Sequence, residues 1–119
     1  SLADLAFNKK LTIKLYKNIY FSPLYVDTFV NILGKIINNV ENEIFNIGAK
    51  NGFSKSDFLI YFMKKLNINK KYKKINYNNK YIKRPLDMRM NVKKFEKKFK
   101  IKLPNIYTEA NKLIKEYKS

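Results

Sequence analysis

The side chains able to transfer protons in this sequence are carboxylates, lysines and tyrosines, because it contains neither histidine nor cysteine. The missing histidines remove the commonest acid–base group at neutral pH and the usual imidazole metal ligand. The missing cysteines exclude disulfides, thiolate nucleophiles and cysteine-based zinc sites. The nine acidic residues show no metal-loop spacing. We therefore expect no catalytic residue and no metal site in this chain.

Phosphate-gripping glycine turns are also missing from the sequence. Its three glycines are Gly34, Gly48 and Gly52. Their spacing forms neither the G-x-G-x-x-G turn of dinucleotide-binding domains nor the G-x-x-x-x-G-K-[ST] loop of nucleotide-binding proteins. We therefore expect that this chain binds no nucleotide cofactor by itself.

The net charge of +17 is the most unusual feature of the composition. Such a charge is typical of nucleic-acid or anionic surfaces. However, only Arg84 and Arg89 among the 26 basic residues are arginines, the side chains that read bases in a bidentate manner. The lysines are spread along the chain, which favours a solvated surface and makes nucleic acid an unlikely partner. A small lysine-rich module that binds nucleic acid or protein remains the alternative.

Apolar periodicity predicts a single α+β domain over residues 1–119, rich in helices and with few short strands. An i, i+3, i+4, i+7 series of apolar residues from Val26 to Val40 indicates the clearest amphipathic helix. The other predicted elements are the end of a helix over 2–6, strands over 11–15, 19–24 and 43–48, helices over 54–67, 91–99 and 110–117, and a short strand in a mobile connection over 67–80.

Several local signals refine this outline. Ser54 stands three residues before Asp57, which is a helix-capping spacing, and Asn51-Gly52 is a strong turn signal. Four phenylalanines at core spacing are expected to be buried rather than to form a base-stacking platform, namely Phe58, Phe62, Phe95 and Phe99. No apolar run reaches the roughly 20 residues that span a bilayer, and no signal sequence opens the chain, so we expect a cytoplasmic protein.

Four stretches, taken together and in order, resemble one known family. They are YFSPLYVDT at 20–28, EIFNIG at 43–48, FSKSDF at 53–58 and RPLDMRM at 84–90. They are similar to the C-terminal, substrate-side region of dTDP-4-dehydrorhamnose reductase and related sugar-nucleotide reductases, within the extended short-chain dehydrogenase/reductase class. The resemblance covers nearly the whole chain.

The resemblance implies an enzyme that uses NADPH or NADH to reduce a keto group on a deoxysugar attached to a nucleoside diphosphate, in deoxysugar or surface-polysaccharide synthesis. In that family the Rossmann domain and the Ser/Thr, Tyr and Lys catalytic set lie N-terminal to the region that this chain resembles. We therefore expect a substrate-binding fragment that lacks the Rossmann domain and is inactive alone. Its expected partners are a nucleoside diphosphate sugar and the missing Rossmann domain, with no membrane.

Arg84 and Asp87 are the main candidate substrate-binding residues. The resemblance implies that the arginine contacts the diphosphate and that the carboxylate lies near the ribose. A planar guanidinium can hold two phosphate oxygens, and a carboxylate can accept two hydroxyls. An equally weighted interpretation is that Arg84 pairs with Asp87 and fixes the start of the next helix.

Ser22 and Pro23 are candidates for the sugar side of the same cleft, although a turn that seats the following helix is the favoured interpretation. A third hypothesis for the whole chain is an interaction module that kept this fold for dimer contacts. It starts from the expectation that an isolated C-terminal half exposes an apolar face where the Rossmann domain would sit.

Overall fold

The computed structural model describes residues 3–7, 12–39, 45–78 and 86–118. Four α-helices and five short strands occur in these ranges, in agreement with the predicted helix-rich α+β class. In chain order the elements are a 3-10 helix (Ala3–Phe7), β1 (Thr12–Tyr16), β2 (Tyr20–Phe21), α1 (Val26–Ile36), β3 (Phe53–Ser54), α2 (Lys55–Lys65), β4 (Lys71–Ile75), β5 (Asp87–Met88), α3 (Lys93–Phe99) and α4 (Ile106–Lys118).

The strands form two small sheets. In the first, β1 pairs in parallel with β4, so that Thr12 lies opposite Lys71 and Tyr16 opposite Ile75. The predicted strand within 67–80 is thus present. In the second sheet β2 is central, antiparallel to β3 and parallel to β5. This second sheet positions the candidate site.

Two hydrophobic clusters hold the elements together. The larger lies between the first sheet, α2 and α4, and its fully buried side chains include Leu15, Leu59, Phe62 and Ile106. The smaller joins α1 to α3 and the following loop, through Ile32, Ile36, Val92, Phe95 and Leu103. Alternating burial along β1, with Ile13 and Leu15 facing inward, confirms the predicted strand pattern.

The start of α2 confirms the capping prediction. The Ser54 hydroxyl accepts a hydrogen bond from the Asp57 backbone N–H at 3.1 Å, which satisfies a donor that the first helical turn leaves unpaired. Just before it, Asn51 and Gly52 both have positive φ, at 75° and 50°. That backbone geometry is the one that the Asn-Gly turn signal predicts.

The strand prediction for 43–48 is wrong for its described part. Residues 45–49 are assigned to no strand, although Ala49 and Lys50 donate backbone hydrogen bonds to Ser22 and Pro104. A β-prone composition cannot produce a ladder without a neighbouring strand, and the described residues provide none there. The predicted strand over 19–24 is also shorter than expected, since only Tyr20 and Phe21 form a ladder.

Helix α1 ends earlier than predicted, at Ile36 rather than Val40, which lies outside the described residues. Its burial also differs from a simple amphipathic helix. Ile32 and Ile36 are buried, whereas Val26, Val30 and Ile37 of the predicted apolar stripe are exposed. Most of the described part of the predicted stripe therefore faces solvent, whereas Ile36 packs inside.

The chain is flat for its length. Its radius of gyration is 16.3 Å and its extents are 49 × 41 × 18 Å. A compact domain of this length has a radius of gyration of about 13.5 Å. The fold is thus less closed than that of an ordinary globular domain.

Candidate functional site

The second sheet brings two of the predicted site segments together. Strand β2 precedes Ser22 and Pro23, and β5 contains Asp87. Because β2 and β5 run parallel, Tyr20 lies opposite Asp87 and Phe21 opposite Met88. The Tyr20 N–H also donates to the Leu86 carbonyl at 2.7 Å. Segments more than 60 positions apart in the sequence thus become neighbours.

The carboxylate of Asp87 is held by Arg89. The Arg89 Nε donates to Asp87 Oδ1 at 2.8 Å and its Nη2 donates to Oδ2 at 2.6 Å, while the Arg89 backbone N–H also donates to Oδ1 at 3.1 Å. The Arg89 guanidinium carbon lies 4.5 Å from the centre of the Tyr20 ring. The side chains of Arg89 and Asp87 are 44% and 52% exposed, so solvent and ligands reach both.

The Arg89 guanidinium lowers the pKa of Asp87 to about 2, chiefly through the side-chain hydrogen bonds and further through the backbone one. The carboxylate is therefore ionised at neutral pH and acts only as a hydrogen-bond acceptor. The same bonds raise the pKa of Arg89. The pair can present acceptors through Asp87, and donors through the guanidinium N–H groups that Asp87 does not use.

Replacing Arg89 with glutamine is expected to raise the pKa of Asp87 from about 2 towards the ordinary value near 3.9. In the folded wild-type chain the lowered pKa contributes stability that is present above about pH 4 and is lost as the pH falls towards 2. In Arg89→Gln this acid-dependent loss should disappear. Carboxyl-carbon NMR titration measures the pKa, with Arg89→Lys as an intermediate control. An Asp87 pKa that stays near 2 in Arg89→Gln would contradict the assignment.

Glycine 52 makes room for this pair. A Cβ at Gly52 would lie 2.5 Å from Arg89 Cγ and 2.6 Å from the Phe21 carbonyl oxygen. The positive φ of 50° at Gly52 is also strained for a residue with a side chain. The Asn51-Gly52 turn therefore leaves space for the aliphatic part of the Arg89 side chain to lie against β2.

Ser22 is buried and its polar atoms are used inside the fold. Its hydroxyl accepts from the Met90 N–H at 2.9 Å, and its carbonyl accepts from the Ala49 N–H at 3.0 Å. Ser22 thereby ties the segment after β5 and the segment at 45–49 to the end of β2. A Cβ at Gly48 would lie 2.8 Å from the Ser22 carbonyl oxygen, which explains the glycine there.

Pro23 lines a cavity of about 370 Å³ next to this sheet. Its walls come from the segment between β2 and α1, from Phe58 of α2 and from one side of α4. Apolar side chains make up most of the wall, and carboxylates from Asp27, Glu109 and Glu116 also face it. Its volume falls within the range of small-ligand pockets.

Glu109 connects α4 to the start of α1 at this cavity. It is 3% exposed, and its Oε1 accepts from the Tyr25 N–H at 3.1 Å. The Lys112 ammonium lies 3.0 Å from Oε2 as a charge partner, without the angle of a hydrogen bond, and donates to Thr28 Oγ1 at 2.7 Å. The Tyr25 hydroxyl donates to Glu116, which raises the pKa of that tyrosine to about 12.

The predictions for Arg84 and for the four phenylalanines have different outcomes. Arg84 lies outside the described residues, so its pairing with Asp87 stays a prediction. Phe58, Phe62 and Phe95 are buried as expected, and Phe99 is half-buried.

No group of three or more metal-ligating side chains occurs in the part of the chain that the structure describes. Within the same ranges no helix has both the length and the apolar character to cross a bilayer.

Arg89 was missed as a site residue by the sequence analysis. Its signal was its position two residues after Asp87, because alternate residues of an extended segment point to the same face. Nothing in the sequence indicated that Glu109 and Glu116 would line the cavity beside Pro23. Both residues lie 80 or more positions after Pro23 in the chain.

Solved structures share this fold. A dTDP-4-dehydrorhamnose reductase from Bacillus anthracis in complex with NADP matches with a TM-score of 0.81 at 13% identity, over 97% of this chain and 41% of that one. The Yersinia enterocolitica dTDP-4-dehydrorhamnose reductase matches with a TM-score of 0.74 at 12% identity, over 95% and 40%. The UDP-Glc/GlcNAc 4-epimerase of Campylobacter jejuni matches with a TM-score of 0.64 at 15% identity, over 92% and 36%.

No family model matches the sequence, and no curated protein matches it. At 12–15% identity the structural matches concern the fold. The chain spans about two fifths of the length of the solved proteins it matches. It thus has the fold of the C-terminal part of dTDP-4-dehydrorhamnose reductases and related short-chain dehydrogenase/reductase proteins, as its four sequence stretches predicted.

Proposed function

We propose that this chain is the substrate-binding portion of an NAD(P)-dependent enzyme that reduces a nucleoside diphosphate sugar, of the dTDP-4-dehydrorhamnose reductase type. The observation that carries the proposal is the fold match to such a reductase over 97% of this chain and 41% of that protein. The unmatched part of that protein is more than half of its length. The cofactor and the catalytic groups are assigned to that remaining part.

The composition of the chain supports a role in binding substrate, with the cofactor and catalytic groups in the other part of the enzyme. Without histidine, cysteine or a phosphate-binding glycine turn, its residues can hold a substrate but cannot grip a dinucleotide in the usual manner. NADPH is the favoured cofactor of the complete enzyme, since the Bacillus anthracis structure contains NADP. The chain alone is expected to oxidise no NADPH, and the polypeptide encoded by its complete reading frame is expected to do so.

The substrate would meet this chain at the second sheet. Arg89 has five N–H groups, of which Nε and one of Nη2 are used by Asp87, so the others remain for diphosphate oxygens. The ionised Asp87 carboxylate has lone pairs left for a hydroxyl of the nucleoside's sugar. Arg84, three residues before Asp87, would add a second guanidinium for the diphosphate. Pro23 and Ser22 are proposed for the sugar side: Pro23 lines the cavity, and the buried Ser22 holds the segment before it through its bonds to Met90 and Ala49.

Replacing Arg89 with glutamine should weaken the binding of dTDP-glucose by about 10-fold to 100-fold, because a charge-assisted hydrogen bond contributes about 1.5–3 kcal/mol. Asp87→Asn should weaken binding less, since only the contact to the single free deoxyribose hydroxyl of dTDP-glucose is weakened and both arginines remain. Titration calorimetry on the isolated chain measures the affinities, with Arg84→Ala as a second test of the diphosphate contact.

The matched control is Lys64→Gln, which removes the same charge from an exposed position on α2. It should bind dTDP-glucose like the wild type. Equal affinities of wild type, Arg84→Ala and Arg89→Gln would remove both arginines from the site. An equal loss in Lys64→Gln and Arg89→Gln would indicate attraction by net charge alone.

A further inference from the structure

The cavity beside Pro23 collects an unusual share of the acidic side chains of this chain. Basic residues outnumber acidic ones 26 to 9 in the sequence. Yet three of the nine acidic residues line this cavity, and the described residues that form its wall include no lysine or arginine. The charge of the wall is therefore opposite in sign to the net charge of +17.

The rest of the cavity wall suits the carbon part of a ligand. The volume is about 370 Å³, and the wall includes the aromatic residues Tyr25 and Phe58 and the aliphatic residues Leu24, Ile106 and Leu113. Aromatic rings attract ammonium groups through the negative charge on their faces. Carboxylates and aromatic rings around one apolar cavity are the combination that binds an organic cation.

Glu109 is a separate observation that indicates a ligand with hydrogen-bond donors. Its side chain is 3% exposed, and its Oε1 accepts from the Tyr25 N–H. Its Oε2 accepts no hydrogen bond from the described residues, although the Lys112 ammonium lies 3.0 Å away as a charge partner. A buried carboxylate oxygen normally accepts a hydrogen bond, because burial without one costs free energy. Since Glu109 lines the cavity, a donor bound there can supply that bond.

Two nearby lysines determine the charge balance around the cavity. Lys112 and Lys115 line a groove that adjoins the cavity. The Lys112 ammonium is already used by Glu109 and by Thr28, to which it donates at 2.7 Å. The three carboxylates of the wall still outnumber these two ammonium groups. Exposed charges more than about 8 Å away are largely screened at physiological ionic strength, so the local carboxylates determine which sign of ligand is favoured.

We propose that this cavity binds a small organic cation. Its ammonium group lies among the carboxylates of Asp27, Glu109 and Glu116, and its carbon part packs against Phe58 and Leu113. The ammonium group belongs either to a free amine or to an amino group on the sugar of a nucleotide substrate, since both present the same N–H donors. The first source is independent of the proposed function, whereas the second rests on it.

The test uses three probes with the same ring and different charges, namely benzylammonium, benzyl alcohol and benzoate. Each is titrated into the 119-residue chain at about 0.15 M salt, and the chemical shift of the Tyr25 amide is followed by NMR. Benzylammonium should bind at least about 10-fold more tightly than benzyl alcohol, and benzoate should bind most weakly. A net charge of +17 by itself would favour benzoate, so the expected order is the reverse of non-specific attraction.

Variants of the wall locate the bound charge. Asp27→Asn and Glu116→Gln change exposed residues, so both should fold, and each should weaken benzylammonium binding by about 2-fold to 5-fold. Glu109→Gln keeps an acceptor for the Tyr25 N–H and should weaken binding by at least about 10-fold. The matched control is Asp57→Asn, which removes the same charge from an exposed position in the first turn of α2, outside the cavity wall. It should bind like the wild type.

Benzyl alcohol that binds as tightly as benzylammonium, or benzoate that binds more tightly, would overturn the proposal. An equal loss of affinity in Asp57→Asn and Glu116→Gln would overturn it too.

The source of the ammonium group is identified with dTDP-glucose and its 4-amino-4-deoxy analogue. Tighter binding of the analogue, with the difference reduced in Glu116→Gln, assigns the ammonium to the sugar, and equal affinities assign it to a free amine. If neither nucleotide binds, the proposed function is overturned, while preferential binding of benzylammonium still supports the cation site.

Discussion

Replacing Gly52 with alanine is expected to lower the free energy of unfolding by about 2–4 kcal/mol, because the positive φ costs about 1–2 kcal/mol and the new methyl group has no space. The alanine Cβ would lie 2.6 Å from the Phe21 carbonyl oxygen and 2.5 Å from Arg89 Cγ. The first neighbour is backbone in β2 and cannot rotate away. Urea unfolding followed by circular dichroism measures the change.

Gly52→Ala should also disturb the contact between Arg89 and Asp87 in the candidate site. Relief of the clash requires the turn, β2 or the Arg89 side chain to move, and each of them supports the contact between Arg89 and Asp87. We therefore expect the pKa of Asp87 to rise above about 2 in the variant that remains folded. The affinity for dTDP-glucose should fall in the same variant.

Gly34→Ala is the matched control for this substitution. Gly34 lies inside α1, and nothing is within 4 Å of the position that its Cβ would occupy. Alanine in a helix interior is better than glycine by about 0.5–1 kcal/mol, so this variant should be more stable than the wild type. Destabilisation of similar size in both variants would contradict the steric account of Gly52.

Replacing Phe62 with alanine is expected to cost about 3–5 kcal/mol, the largest effect of any single change considered for this chain. Phe62 is fully buried in α2, at the centre of the larger cluster. Its ring lies 5.2 Å from that of Tyr117 and 6.0 Å from that of Phe58, so removal of the ring would leave a cavity beside these aromatic side chains. Thermal and urea unfolding measure the loss.

The control for Phe62 is Phe29→Ala. Phe29 lies on α1, is 39% exposed and belongs to neither cluster of the described residues. Its loss should cost less than about 1.5 kcal/mol in the isolated chain, because little apolar area returns to water. A cost at Phe29 as large as that at Phe62 would mean that α1 packs differently in solution.

A domain of ordinary stability, about 5–15 kcal/mol, would lose a large share of it in Phe62→Ala. The affinity for dTDP-glucose in that variant therefore reports on folding rather than on the site. Arg89→Gln, on an exposed pair, should change affinity with little effect on the unfolding midpoint. Comparison of the two variants separates loss of the fold from loss of the contact.

Local features of the sequence predicted local structure well. The cap at Ser54, the turn at Asn51-Gly52 and the alternation along β1 all depend on residues within a few positions of one another. Such signals reflect backbone donors, φ preferences and side-chain direction, which neighbouring residues determine. The four stretches that resemble sugar-nucleotide reductases also predicted the fold shared with the solved structures that match this chain.

Contacts between distant parts of the chain decided which predicted strands pair and which side of a helix is covered. The predicted strand at 43–48 has no ladder in its described part, because a ladder depends on a partner strand and not on composition. Most of the apolar stripe of α1 is exposed for the same kind of reason, since periodicity shows that a helix has an apolar side but not what covers it.

The sequence by itself determined the residue types available to this chain, with neither histidine nor cysteine and only three glycines, since composition is independent of folding. It also determined the local caps and turns. Only the tertiary structure decided that Arg89 holds Asp87 beside Tyr20, and that Pro23 shares a cavity with Glu109 of α4. The physical reason is that side-chain pairs separated by tens of residues meet through strand pairing and helix packing, which no short stretch of sequence contains.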